Sequence, residues 1–129
     1  YFSLALKPLS ICATNISKTM AKKISRVSLF DSSTQSYTTA AYLIAQLGKN
    51  YSLKKEKQIN GSVLLGFALE TVSSLNYSIG GLIEFLECED NPFLLQFYTQ
   101  NHFKQFDTRT AISACNKNPY ILHQLLKCV

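Results

Sequence analysis

The stretch GSVLLGFALETVSSLNYSIGGLIEFLECEDNPFLLQFYTQNHFKQFD, residues 61–107, decides the fold. Leu65, Ala68, Leu69, Val72 and Leu75 recur at i, i+3, i+4, i+7 and i+10, one face of a 3.6-residue period, with Glu70, Ser73 and Ser74 off it. This spacing predicts a helix from about Ser62 to Leu75, ended by Asn76 and then by Gly80 and Gly81, residues suited to left-handed geometry. Leu82 to Glu87 is mostly apolar and too short for a core helix. Bounded by the glycines and by Glu89-Asp90-Asn91-Pro92, it reads as a largely buried strand. Pro92 suits the first position of a second helix and Asn91 its cap. Leu94, Leu95, Phe97 and Tyr98 give that short helix one apolar face, and Phe103 to Asp107 returns to a strand pattern. Such alternation predicts an α/β fold with a mixed twisted sheet flanked by helices.

Upstream, Thr38 to Leu47 is short, apolar and stopped by Gly48-Lys49-Asn50, as expected of a central strand. The polar connector that follows carries Lys54, Lys55, Glu56 and Lys57 and leads through Gln58, Asn60 and Gly61 into the first helix. The first turn of any helix offers unpaired N–H groups and a positive dipole end, so Gly61, Ser62 and Val63 can cradle an anion, while a glycine allows close approach. Asn15 to Phe30 sets Lys18, Lys22, Lys23 and Arg26 beside Ile16, Met20, Ile24 and Val27, a basic, weakly amphipathic segment. It reads as a solvated connector in preference to a phosphate-binding face, since interleaved aromatics are missing. Phe2, Leu4 and Leu6 alternate with small or polar residues in a strand pattern closed by Pro8.

Downstream, Thr108 to Pro119 has no clear period and reads as connector. Tyr120 to Val129 reads as a final strand paired with Phe103 to Asp107, and His123 within it as a hydrogen-bonded strand histidine. Glu84 and Glu87, three apart on one strand, start on opposite faces and cannot act as a pair.

A chain of 129 residues with 47% hydrophobic content suits one domain, residues 1–129, with a real core. No apolar run approaches the length of a membrane span, and the start, YFSLALKPLSI, has neither a basic leader nor a cleavage site, so a cytoplasmic location away from membranes is expected. Cys12, Cys88, Cys115 and Cys128 show no C-x-x-C spacing, and they read as reduced thiols with no metal to hold. The net charge of +5 suits an acidic partner, either a phosphate-bearing cofactor or a nucleic acid, and equally an ordinary basic surface.

Asn91, then Phe97-Tyr98, then Asn101-His102-Phe103 is similar to the N-x-x-x-x-x-F/L-Y-x-x-x-G-F pattern that closes the second half of the GNAT superfamily of N-acetyltransferases, with His102 in place of the usual Gly. The resemblance implies a GNAT-like fold in which one or two strands and two helices precede the first strand seen here, so the chain is expected to be N-terminally truncated. It implies acetyl-CoA as cosubstrate and a primary amine as acceptor, and it leaves a homodimer open. Ala45, Gln46 and Leu47 would line the pantetheine arm through backbone atoms, in a gap between the central strand and the strand after the glycines. Gln58 and Gly61 fill the first two fixed positions of the family's Q/R-x-x-G-x-G/A phosphate loop, and Val63 departs from the third. Asn91 matches a position that touches pantetheine. Tyr98 matches a tyrosine that protonates or hydrogen-bonds the thiol of coenzyme A, against the alternative of a core aromatic with a surface hydroxyl. No general base is assigned. Two competing readings remain: a non-catalytic acyl-CoA-binding module, and a tRNA-directed or other nucleic-acid-binding protein using Lys18 to Arg26.

Overall fold

Residues 36–47 form the strand on which the others assemble. The structure, a computed structural model, describes residues 1–48, 54 and 59–129. In chain order the elements are β1 (Phe2–Cys12), a 3-10 turn (Ala13–Asn15), α1 (Lys18–Ile24), β2 (Leu29–Asp31), β3 (Ser36–Leu47), α2 (Gly61–Ile79), β4 (Ile83–Glu89), α3 (Pro92–Gln100), β5 (Lys104–Ile112) and β6 (Pro119–Cys128). The sheet runs β1-β3-β4-β6-β5, with β2 also pairing β3. The β3/β4 pair is parallel and the others are antiparallel, giving the expected mixed α/β sheet flanked by helices.

β3, β4 and β6 carry apolar residues on both faces because each face is covered. Ile83 and Phe85 of β4 join Leu9, Ile11, Ala41, Phe106, Leu126 and Ile24 of α1 in one core. Leu86 and Cys88, on the opposite face, join Ile44, Leu125, Phe103, Leu65 and Ala68 of α2 and Tyr98 of α3 in another. Strand alternation thus sorts a nearly continuous apolar run into two cores.

Several boundaries differ from the sequence reading; β3 begins at Ser36, and β2 lies partly within the segment read as connector. β1 continues through Pro8 to Cys12. It is an edge strand, and a proline that pairs with Ala40 on one side only needs no N–H on the other. α2 runs past Leu75 to Ile79, because Asn76 stays helical and the stop is at Gly80 and Gly81, with φ of 77° and 111°. The Gly80 N–H donates to the Asn76 carbonyl at 2.8 Å, and the Asn76 amide donates to the Gly81 carbonyl. β4 extends to Glu89. Residues 108–112 and 119, read as connector, belong to the β5/β6 hairpin; β5 is another edge and mostly exposed, so it carries no apolar pattern. In α1 only seven residues are helical, capped by Ser17, whose hydroxyl accepts from Met20 N–H at 3.2 Å. Met20 and Ile24 turn to the core and the lysines to solvent. No described helix is long and apolar enough to cross a membrane.

Candidate functional site

β3 and β4 pair only over Tyr42–Ile44 and Glu84–Leu86, although both strands continue. Beyond that point each keeps its outer partner: Gln46 and Leu47 face Ser3 and Phe2 of β1, while Glu87, Cys88 and Glu89 face Gln124, His123 and Leu122 of β6. The inner edges of residues 45–47 and 87–89 are left without ladder partners in each other. A register shift accompanies this opening. Ser3 pairs with Gln46 but Leu4 with Ile44, which makes Ala45 the extra residue of a β-bulge. A bulge bends its strand and increases the local twist, and here it turns β3 away from β4. The sequence reading placed a gap at Ala45, Gln46 and Leu47; the bulge that accompanies it has no sequence signal of its own.

The parallel β3-α2-β4 connection puts the start of α2 at the end of the sheet where this gap opens, and α3 starts there too, directly after β4. At α2 the cap is Asn60, whose side-chain oxygen accepts from Ser62 N–H at 2.8 Å, while its carbonyl accepts from Leu64 N–H at 3.0 Å. Of the three first-turn donors expected to face an anion, Ser62 is therefore already engaged. Gly61 and Val63 remain outside that bond, in a turn with no acidic residue. Val63 is 49% exposed, so its branched side chain stands at the position where the resemblance calls for Gly or Ala. Gln58 lies outside the described residues.

α3 is organised by both ends. The Asn91 side-chain oxygen accepts from Phe93 N–H at 2.9 Å with Pro92 next in line, so this residue's acceptor serves the helix. At the other end His102 N–H donates to the Thr99 carbonyl and Phe103 N–H to the Tyr98 carbonyl, both at 3.1 Å, with His102 at φ 72°. These are the two bonds of a Schellman motif, and the Tyr98 and Phe103 rings, 6.1 Å apart, supply its apolar contact. The position where the resemblance calls for Gly is left-handed in this chain, and His102 occupies it with φ 72°. A left-handed non-glycine residue costs roughly 1–2 kcal/mol, while glycine gives back about 0.5–1 kcal/mol in chain entropy. His102→Gly is therefore expected to raise stability by about 0.5 kcal/mol in urea unfolding, and a loss of stability would contradict the assignment.

Tyr98 is 9% exposed, packed edge-on against Phe97 and Phe103 in the core that holds Cys88. Burial, with the Cys88 thiol adding to it, raises its phenol above the ordinary value, which favours the protonated phenol. Burial, and then Asp90 and Glu89, likewise raise the Cys88 thiol, which makes it a poor nucleophile. All four cysteines are free thiols.

The carboxylates separate by face, as their spacing requires. Glu87 lies opposite Tyr98's face and is bound by Arg109 through Nε and, at 2.9 Å, Nη2, with Gln124 Nε2 at 3.1 Å. Its first consequence is on Arg109, whose guanidinium is held above its usual value by that hydrogen bond. His123 is engaged at both nitrogens, Nδ1 with Gln105 at 2.6 Å and Nε2 with Asp90 at 3.0 Å, so it ties β5, β6 and the start of α3 together. Beside it, at the end of β4, Glu89, Asp90, Tyr120 and the 113–118 turn enclose an open cavity of about 550 Å³. That cavity has no sequence signal, because its wall at residues 113–118 carries no periodic pattern. Among the described residues, no group of three or more His, Cys, Asp or Glu side chains is placed to hold a metal ion.

No family model matches the chain, and no curated protein matches it in sequence. Among solved structures it is similar to NAA60 of Arabidopsis thaliana in complex with a bisubstrate analogue, with a TM-score of 0.57 and 11% sequence identity, over 98% of this chain. The chain spans 63% of the length of that protein. The likeness is one of fold: a six-stranded mixed sheet flanked by helices, GNAT-like as the residue pattern implied.

Proposed function

We propose that this chain is the acetyl-CoA-binding part of an N-acetyltransferase that moves an acetyl group onto a primary amine by direct attack in a ternary complex. The observation that carries this reading is the gap between β3 and β4, bulged at Ala45 and opening at the end where α2 and α3 begin. In it, the backbone of Ala45, Gln46 and Leu47 would pair with the pantetheine amides as an added strand does. Gly61 and Val63 N–H groups would meet the pyrophosphate, with Ser62 joining on release of its Asn60 cap and Gln58 assisting by resemblance. Asn91 keeps its amide N–H groups for the arm while its oxygen caps α3.

In the chemical step the amine nitrogen bonds to the thioester carbonyl carbon and the C–S bond breaks. The departing thiolate takes the Tyr98 proton, and the amine gives up its own proton to water. Backbone N–H groups near Leu47, lacking ladder partners on the inner edge, would polarise the carbonyl. The acceptor would approach through the cavity at Glu89 and Asp90, whose charge suits an amine that arrives as a cation, gives a first proton to water and attacks as the neutral base.

Titration calorimetry with acetyl-CoA on the full-length protein is expected to show binding, and absence of heat with unchanged thermal stability sinks the reading. A thiol-release assay over an amine panel then separates an enzyme from a binding module that retains the scaffold. The exposed Val63 in the phosphate-facing turn favours that second reading, and binding without thiol release for any amine would establish it.

A further inference from the structure

Glu84 has no part in the proposed chemistry, yet it is the most unusual side chain in the sheet. It is 3% exposed, and among the described residues its Oε2 has no hydrogen-bond partner. Two residues before Leu86, it lies on the sheet face that carries α2 and α3, between Tyr42 of β3 and Lys127 of β6, its partners across the two ladders. Tyr42 cannot satisfy it, because the tyrosine hydroxyl donates to the Gly80 carbonyl. The ionisable groups of α2, Glu70 and Tyr77, point to solvent, and α3 offers only Tyr98. Among the described residues Lys127 is the cation beside it, and its Nζ sits over the Phe103 ring, 5.8 Å from the centroid.

We propose that Glu84 and Lys127 form a proton-controlled switch, in which ionisation of Glu84 draws the Lys127 ammonium from the Phe103 ring to the Glu84 carboxylate. A neutral carboxyl tolerates its buried place, whereas a carboxylate there requires a counter-ion, and a cation–π contact is weaker than a desolvated ion pair. Burial pushes the Glu84 carboxyl up to about 7, with Lys127 acting in the opposite sense. The movement reaches the candidate site through contact alone: Phe103 packs edge-on against Tyr98. The inference does not rest on acetyltransferase activity. Because the folded value lies above the ordinary 4.5, Glu84's contribution to stability is full below that pH and is lost as pH rises to about 7.

The test is carbon NMR of the labelled full chain from about pH 4 to about pH 9, following Glu84 Cδ, Lys127 Cε and the Phe103 ring, a window set to bracket both protonation states. The expected result is one shared midpoint near 7 for all three. In Glu84→Gln, an isosteric neutral mimic, the Phe103 and Lys127 shifts should no longer titrate, and the fall in melting temperature across that range should shrink. In Lys127→Met the Glu84 midpoint should move upward and the Phe103 ring stay still. A Glu84 midpoint in the ordinary carboxylate range, a still Phe103 ring in the wild type, or a ring that still titrates in Glu84→Gln would each overturn the switch.

Discussion

Tyr98→Phe is expected to lower turnover with acetyl-CoA by about 100-fold, the low end for loss of a positioned general acid, while acetyl-CoA affinity stays within about twofold. The ring is the part that packs: it lies edge-on to Phe97 and Phe103, and phenylalanine preserves both contacts. The hydroxyl is what the substitution removes, and burial has kept it protonated. A proton-donor role therefore predicts a loss in kcat with little change in stability. The comparison is made with an amine acceptor identified in the thiol-release panel. Equal turnover by the two proteins would reduce Tyr98 to a core aromatic. A large loss of melting temperature would instead show that the hydroxyl holds the fold.

Gly81→Ala should cost about 3 kcal/mol by combining backbone strain with overpacking. Gly81 has φ 111°, and an added Cβ would stand 2.8 Å from Cε2 of Tyr42. That ring is 2% exposed and tethered by its hydroxyl to the Gly80 carbonyl, so it cannot swing aside cheaply. Gly80 provides the control: its φ is also positive, 77°, but nothing lies within 4 Å of an added Cβ. Gly80→Ala should cost only the backbone strain of its φ 77°, ψ −165° position, about 2 kcal/mol. Urea unfolding of both variants separates the two contributions, and equal costs would refute the Tyr42 contact. The pair matters beyond stability because this turn sets where β4 starts beside β3, and with it where their pairing ends.

Elements held by neighbours in sequence were legible. The period from Leu65 to Leu75 marked α2, and Asn91-Pro92 marked the start of α3, because caps and helical faces are local. Asn76 misled because a residue suited to stopping a helix is also tolerated inside one; the stop needed the positive φ of Gly80 and Gly81. The edges were misjudged for a different reason. Pro8 reads as a breaker only where its missing N–H would be needed, and exposed β5 has no apolar stripe to reveal it.

Within the site, the Asn91 to Phe103 pattern carried its own geometry. Tyr98, His102 and Phe103 form a helix end that six consecutive residues can build unaided, which explains why His102 could replace glycine without erasing the pattern. By itself, then, the amino-acid sequence determined α2, α3 and its Asn91 cap, the two-faced central strands and the opposite faces of Glu84 and Glu87. Only the tertiary structure decided the bulge at Ala45, the residues at which the β3/β4 pairing stops, the double engagement of His123 and the place of Glu84 between Tyr42 and Lys127. Those features arise between strands distant in the chain. A residue's local propensity is silent on whether its neighbour across the ladder supplies a partner, a space or a charge.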